Sequence, residues 1–296
     1  MDLSVPHHSA SQAVAPEGDA VRWWEWPTVL SLDAPLVAVC WQALFARMAG
    51  VTPDTGHMLM LGGCVWLIYA ADRWIDGWRL RDGQTATQRH RFYARHRWKI
   101  LPLWLAVFVA GSVSVWTVLS AAQLRAGFAL AGLAGAYVVI HQGIHRSRLS
   151  GLPKEVLAAS IFAAGCALCP GTTAVVDHAL GFFPAVVLFA CLCFSNIVMI
   201  ASWEKEVDRA QGNPSLALQW RSAGAAARYV ALLVVVMAVA MFLYDHGRTH
   251  GAFLALGASA LLLLGVDALE PRFGSRAARV IADAVLLVPL LIFLRL

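Results

Sequence analysis

Asp72 and Asp76 stand four residues apart at the end of an apolar run, and Glu204 and Asp208 repeat that spacing at the end of another. Residues i and i+4 share a helix face, so each pair presents two carboxylates together. Two such pairs facing each other offer oxygen ligands only. Mg²⁺ prefers that donor set, keeps several waters and bridges to substrate phosphates. Arg79 follows Asp72 by seven residues on the same stripe, and Lys205 follows Glu204 directly. Cationic side chains so placed suit phosphate oxygens. Asn196 lies two turns before Glu204, inside the apolar part of its helix, as a supporting polar group. The implied chemistry is ionisation of a lipid diphosphate, with metal ions neutralising the charge that develops on the leaving group. Charges at helix ends also form interfacial salt bridges that merely set orientation. That reading is preferred for one pair, and two pairs at equivalent places reverse the preference.

The elements that carry these residues are membrane spans. Of the 296 residues, 59% are hydrophobic and only 14% charged, with mean hydropathy +0.64. A soluble domain carries about 25% charge. Spans of about 20 residues are expected near 29–49, 57–76, 99–119, 124–144, 154–174, 180–203, 226–244, 251–267 and 278–295. Seventeen Lys and Arg fall in the loops after spans 2, 4, 6 and 8, against Arg47, Arg125, Arg248 and Arg295 on the other side. The alternation fits the positive-inside rule. It predicts an all-α integral membrane protein of about nine transmembrane helices in the inner, cytoplasmic membrane, with a cytoplasmic N-terminus. Residues 1–22 read as a mobile tail and 23–296 as one polytopic membrane domain. Basic residues between apolar spans point to membrane lipids and anionic substrates rather than nucleic acid, for which there is no motif. Acids close span 2 and again span 6, which suggests two pseudo-repeated halves. No span shows the interrupted pattern of a transporter's broken helix.

Several other residues are candidates. Arg89 belongs to a basic run ending at Lys99 that suits diphosphate or lipid head groups. Tyr69 lies in the Asp72 stripe, where its ring either faces a carbocation or packs. His141 and His145 form an i, i+4 pair that reads best as interfacial. Asp283 is a lone acid in the last span, and such an acid needs a partner; the sequence names none.

Three stretches carry a family resemblance. Leu32-Asp33-Ala34-Pro35 opens span 1, Ala71-Asp72-Arg73-Trp74-Ile75-Asp76-Gly77 closes span 2, and Glu204 to Asp208 follows span 6. They resemble, in order, the Leu-Asp-Lys-Pro stretch, the N-D-x-x-D-x-x-x-D motif and the second aspartate-rich motif of the UbiA-type intramembrane prenyltransferases. Tyr137, Pro153 and His141 also fall near positions where that family carries a Tyr, a Pro and a basic residue. Ile68 and Tyr69 replace the first motif's Asn and first Asp, and Ala34 replaces the lysine. The resemblance implies a UbiA-like bundle that transfers a prenyl group from an isoprenyl diphosphate to an aromatic or other lipid-precursor acceptor. It implies Mg²⁺ at Asp72, Asp76, Glu204 and Asp208, with Arg79, Arg89, Lys205, Asn196, Tyr69 and His141 around the substrate. A terpene cyclase on the same scaffold and a non-catalytic lipid-binding protein are the alternatives.

Overall fold

The computed structural model describes residues 21–79, 88–144, 154–173, 179–211, 215–244 and 249–293. Residues 1–20, most of the expected tail, lie outside them. A 3-10 turn at Trp23–Glu25 runs into α1 (Trp26–Val29), and the chain then bends by 76° into α2 (Asp33–Met48). Ser31 makes this bend with a left-handed φ of 58°, uncommon for a residue with a Cβ. The Tyr93 hydroxyl donates to Ser31 Oγ at 3.0 Å, and Trp66 Nε1 donates to the Leu30 carbonyl at 3.1 Å. Two aromatic donors thus hold the strained turn.

The chain continues through α3 (Thr55–Arg79), α4 (Gln88–Val118), α5 (Ala121–Ile144), α6 (Lys154–Thr173) and α7 (Ala179–Trp203). Two short helices follow, α8 (Lys205–Gln211) and α9 (Leu216–Gln219). Then come α10 (Ala223–Tyr244), α11 (His250–Phe273), α12 (Ser275–Ala284), a 3-10 turn at Val285–Leu287 and α13 (Pro289–Phe293). No strand occurs among the described residues. Six helices among them are long and apolar enough to cross a membrane, or seven if the bent pair of the first span counts as one.

The fold is therefore a helical bundle with membrane-length helices, and two of the nine expected spans stand apart. For the fourth, α5 is helical throughout, but its side chains from residue 137 onward lie outside the described residues. The ninth is broken. Pro289 has no N–H to offer the Val285 carbonyl four residues before it, so the helix stops at Ala284. Ser259 Oγ donates to that carbonyl instead at 2.9 Å, and Trp41 Nε1 donates to the Leu286 carbonyl at 2.8 Å. Backbone groups freed within a membrane need such partners. A broken span, unexpected from the sequence, is thus built into the fold. Gly274, with φ 79°, turns the chain from α11 into α12.

α7 lies at the centre, packed against α6, α10, α11 and α12. Trp41 of α2 stacks on Phe189 of α7 with centroids 4.1 Å apart. Ala223, Ala227, Ala231, Val234 and Ala238 are buried along one face of α10, which packs on α7 and α11. Small side chains let such helices approach closely where no water drives them together. Leu103, Phe108, Val109 and Val113 of α4 are exposed, as a lipid-facing surface would be.

Candidate functional site

The C-terminal ends of α3 and α7 and the N-terminal ends of α2, α4 and α12 meet at one end of the bundle. Glu204, at the junction of α7 and α8, is the hub. Arg279 Nη1 of α12 donates to Glu204 Oε2 at 2.5 Å, and Arg89 Nη2 of α4 lies 3.8 Å from the same oxygen. The helical ladder runs unbroken through Glu204, from Ile200 to Asp208, so Glu204 and Asp208 stay one turn apart. Burial pushes the Asp208 carboxyl up, although Lys154 and Arg89 pull the other way.

On α3 the inward stripe is Tyr69 and Arg73. Arg73 is only 6% exposed and its guanidinium lies 5.8 Å from the Tyr69 ring centre. Asp72 points outward and is exposed. Burial pulls the Arg89 guanidinium below its ordinary value; Arg73 adds to this, while Glu204, Asp33 and Asp283 oppose it. These five side chains therefore share one electrostatic neighbourhood. Buried nitrogens remain without a hydrogen-bond partner among the described residues: Arg73 Nε, Arg89 Nε, Arg89 Nη1 and Arg279 Nε. An unsatisfied buried donor costs about 1–3 kcal/mol, and more when charged.

One turn further along α12 is Asp283. It accepts a hydrogen bond from Asn196 Nδ2 of α7 at 3.1 Å, so the lone acid of the last span has a partner. Asn196 is 6% exposed, and its Oδ1 has no partner among the described residues. Asp33, at the start of α2, is close enough to interact electrostatically with Asp283 and Tyr69.

Other charges here are structural. Arg276 is bound bidentately to the buried Glu25, one contact being 2.5 Å, and so ties α12 to the N-terminal turn. Asp267 accepts from Trp203 Nε1 at 3.0 Å and from Arg228 Nε at 2.6 Å, joining α7, α10 and α11. Glu155 accepts from the Leu216 amide at 2.8 Å and anchors α9.

Of the expected site residues, Glu204, Arg89, Asn196 and Tyr69 lie in this cluster, with Asp208 one turn from Glu204. Lys205 opens α8 and is half-buried. The side chains of Asp76, Arg79 and His141 lie outside the described residues. Sequence reasoning gave no role to Arg73, Arg279 or Asp33. The i, i+4 spacing of Tyr69 and Arg73 was a signal for the first of these. Among the described residues no group of three His, Cys, Asp or Glu is arranged to hold a metal ion. Compared with family models, with curated proteins and with solved structures, the chain gives no match.

Proposed function

We propose that the chain is an intramembrane prenyltransferase of the UbiA type, with its charged end at the cytoplasmic face of the inner membrane. The observation that carries this reading is the set of buried, unpartnered guanidinium nitrogens on Arg73, Arg89 and Arg279. Arg89 and Arg279 flank one carboxylate, Glu204, and Arg73 lies in the electrostatic neighbourhood of Arg89. A diphosphate brings the acceptor oxygens these donors lack, and lipid-facing helices suit its isoprenyl chain. Tyr69 faces this group and would line the path of an allylic cation.

Magnesium fits the described residues in part. Glu204 is committed to two arginines. Asp208, raised by burial, would gain from a nearby cation, whereas Asp72 faces outward. The ion would neutralise charge on the departing diphosphate. The chain's own arginines orient the diphosphate, and the apolar bundle keeps water from the prenyl group.

The commitment of Glu204 and the exposure of Asp72 favour one second reading, a non-catalytic binder of lipid diphosphates. Turnover separates the two. Purified protein in nanodiscs, given farnesyl diphosphate, Mg²⁺ and 4-hydroxybenzoate, should release diphosphate and form a prenylated phenol. Asp76→Ala should abolish release while the protein still folds; unchanged turnover in that variant would sink the metal assignment. Binding without turnover points to the binder. A cyclised hydrocarbon formed without acceptor points to a cyclase. No binding of isoprenyl diphosphates overturns both main readings.

A further inference from the structure

One turn along α12 from Arg279, the α7–α12 contact has a second polar rung. Asn196 Nδ2 donates to Asp283 Oδ1, which leaves Asn196 Oδ1 buried and unpartnered among the described residues. Asn196 is more than nine-tenths buried, and an acceptor left bare in such a place points to a missing donor. The Asp283 carboxylate, with room for further hydrogen bonds, lies beside it. Asp33, from the start of α2, and the arginines Arg73 and Arg89 act on Asp283 electrostatically, and Tyr69 shares that neighbourhood. Asp283 is also the last charged residue before the break at Val285–Leu287, and Asp33 the first after the bend at Ser31. Helix breaks inside membrane proteins are where backbone and side chains converge on ligands.

We infer that Asp283 and Asn196 form a binding subsite for a hydrogen-bond-donating group, a hydroxyl or an amine, on an apolar molecule. Under the prenyl-transfer reading, on which this assignment rests, that molecule is the acceptor. The unpartnered guanidinium nitrogens suit the diphosphate, and the unpartnered Asn196 Oδ1 suits a donor. A donor on the acceptor satisfies Asn196 Oδ1 beside the Asp283 carboxyl.

The test uses two apolar probes that differ in one donor, octyl 4-hydroxybenzoate and octyl 4-methoxybenzoate. Their binding to the full-length protein in nanodiscs is followed by tryptophan quenching, with empty nanodiscs subtracted. The phenol should bind about tenfold more tightly than the ether, the difference expected for one donor to a buried charged acceptor. Asp283→Asn and Asn196→Leu should each remove that preference, with thermal melting confirming that they fold. Arg89→Gln should keep it. Equal binding of the two probes to the unaltered protein overturns the assignment, as does a full preference in both folded variants. Binding of farnesyl thiodiphosphate is measured in parallel. A phenol preference without diphosphate binding leaves the subsite standing and removes the prenyl-transfer reading. Diphosphate binding without a phenol preference does the reverse.

Discussion

The two rungs between α7 and α12 make different contacts: an ion pair in one, an amide–carboxyl hydrogen bond in the other. The outer rung joins Glu204 to Arg279, with Arg89 and Arg73 nearby, so described positive charge exceeds negative. The inner rung joins Asn196 to Asp283 with Asp33 nearby, and Arg73 and Arg89 also act on it. Four residues of α12, a rise of about 6 Å, separate Arg279 from Asp283. Low-dielectric surroundings penalise unpaired polar groups, and among the described residues each rung keeps some: guanidinium nitrogens in the outer, Asn196 Oδ1 in the inner. The outer one calls for an anion and the inner one for a donor, which is how one end of a bundle tells two ligands apart.

Arg89→Gln should have the largest effect on this division. Removing a buried cation with two unpartnered nitrogens should weaken farnesyl thiodiphosphate binding about 100-fold, the worth of one or two charge-assisted bonds. Glu204→Gln should act oppositely in EDTA. With its built-in counter-ion gone, the arginine rung should bind the anion about tenfold more tightly, the scale of one exchanged ionic contact. Weaker binding in EDTA would break the comparison, and a loss seen only with Mg²⁺ would assign Glu204 to the metal. Trp41→Phe should lower the melting temperature by a few degrees, because the Leu286 carbonyl at the break loses its donor, a cost of about 1 kcal/mol. An unchanged melting temperature would show that the break needs no such support.

Asp208→Asn should have the smallest effect. The folded carboxyl is raised, so its contribution to stability is complete below the ordinary carboxylate range and is lost as pH rises through the raised value. In EDTA, the variant should therefore melt slightly higher than the unaltered protein at pH 7, and the gain should vanish near pH 4. A gain that instead grows on acidification would contradict the burial of that carboxyl.

Much of this was legible in the sequence. Hydropathy placed α3 and α7 within a few residues, whereas α4 starts at Gln88, well before the expected 99. The acids after span 6 led to Glu204, and the polar residue two turns before it to Asn196. The facing of α3 was harder to read. A helix turns about 100° per residue, so Asp72 and Arg73 point in different directions, and only packing of α3 against its neighbours α2 and α4 decides which is buried. The partner of Asp283 lies 87 residues away, a pairing that no local pattern encodes. The break before α13 had a visible cause in Pro289, concealed by the apolar run around it.

The most direct test of the account is equilibrium binding of farnesyl thiodiphosphate to the full-length protein in nanodiscs, unaltered and with Arg73→Gln or Arg89→Gln. Saturable binding is expected, and either substitution should weaken it severely while the variants remain folded. Failure of the unaltered protein to bind, or equal binding by all three, would contradict it.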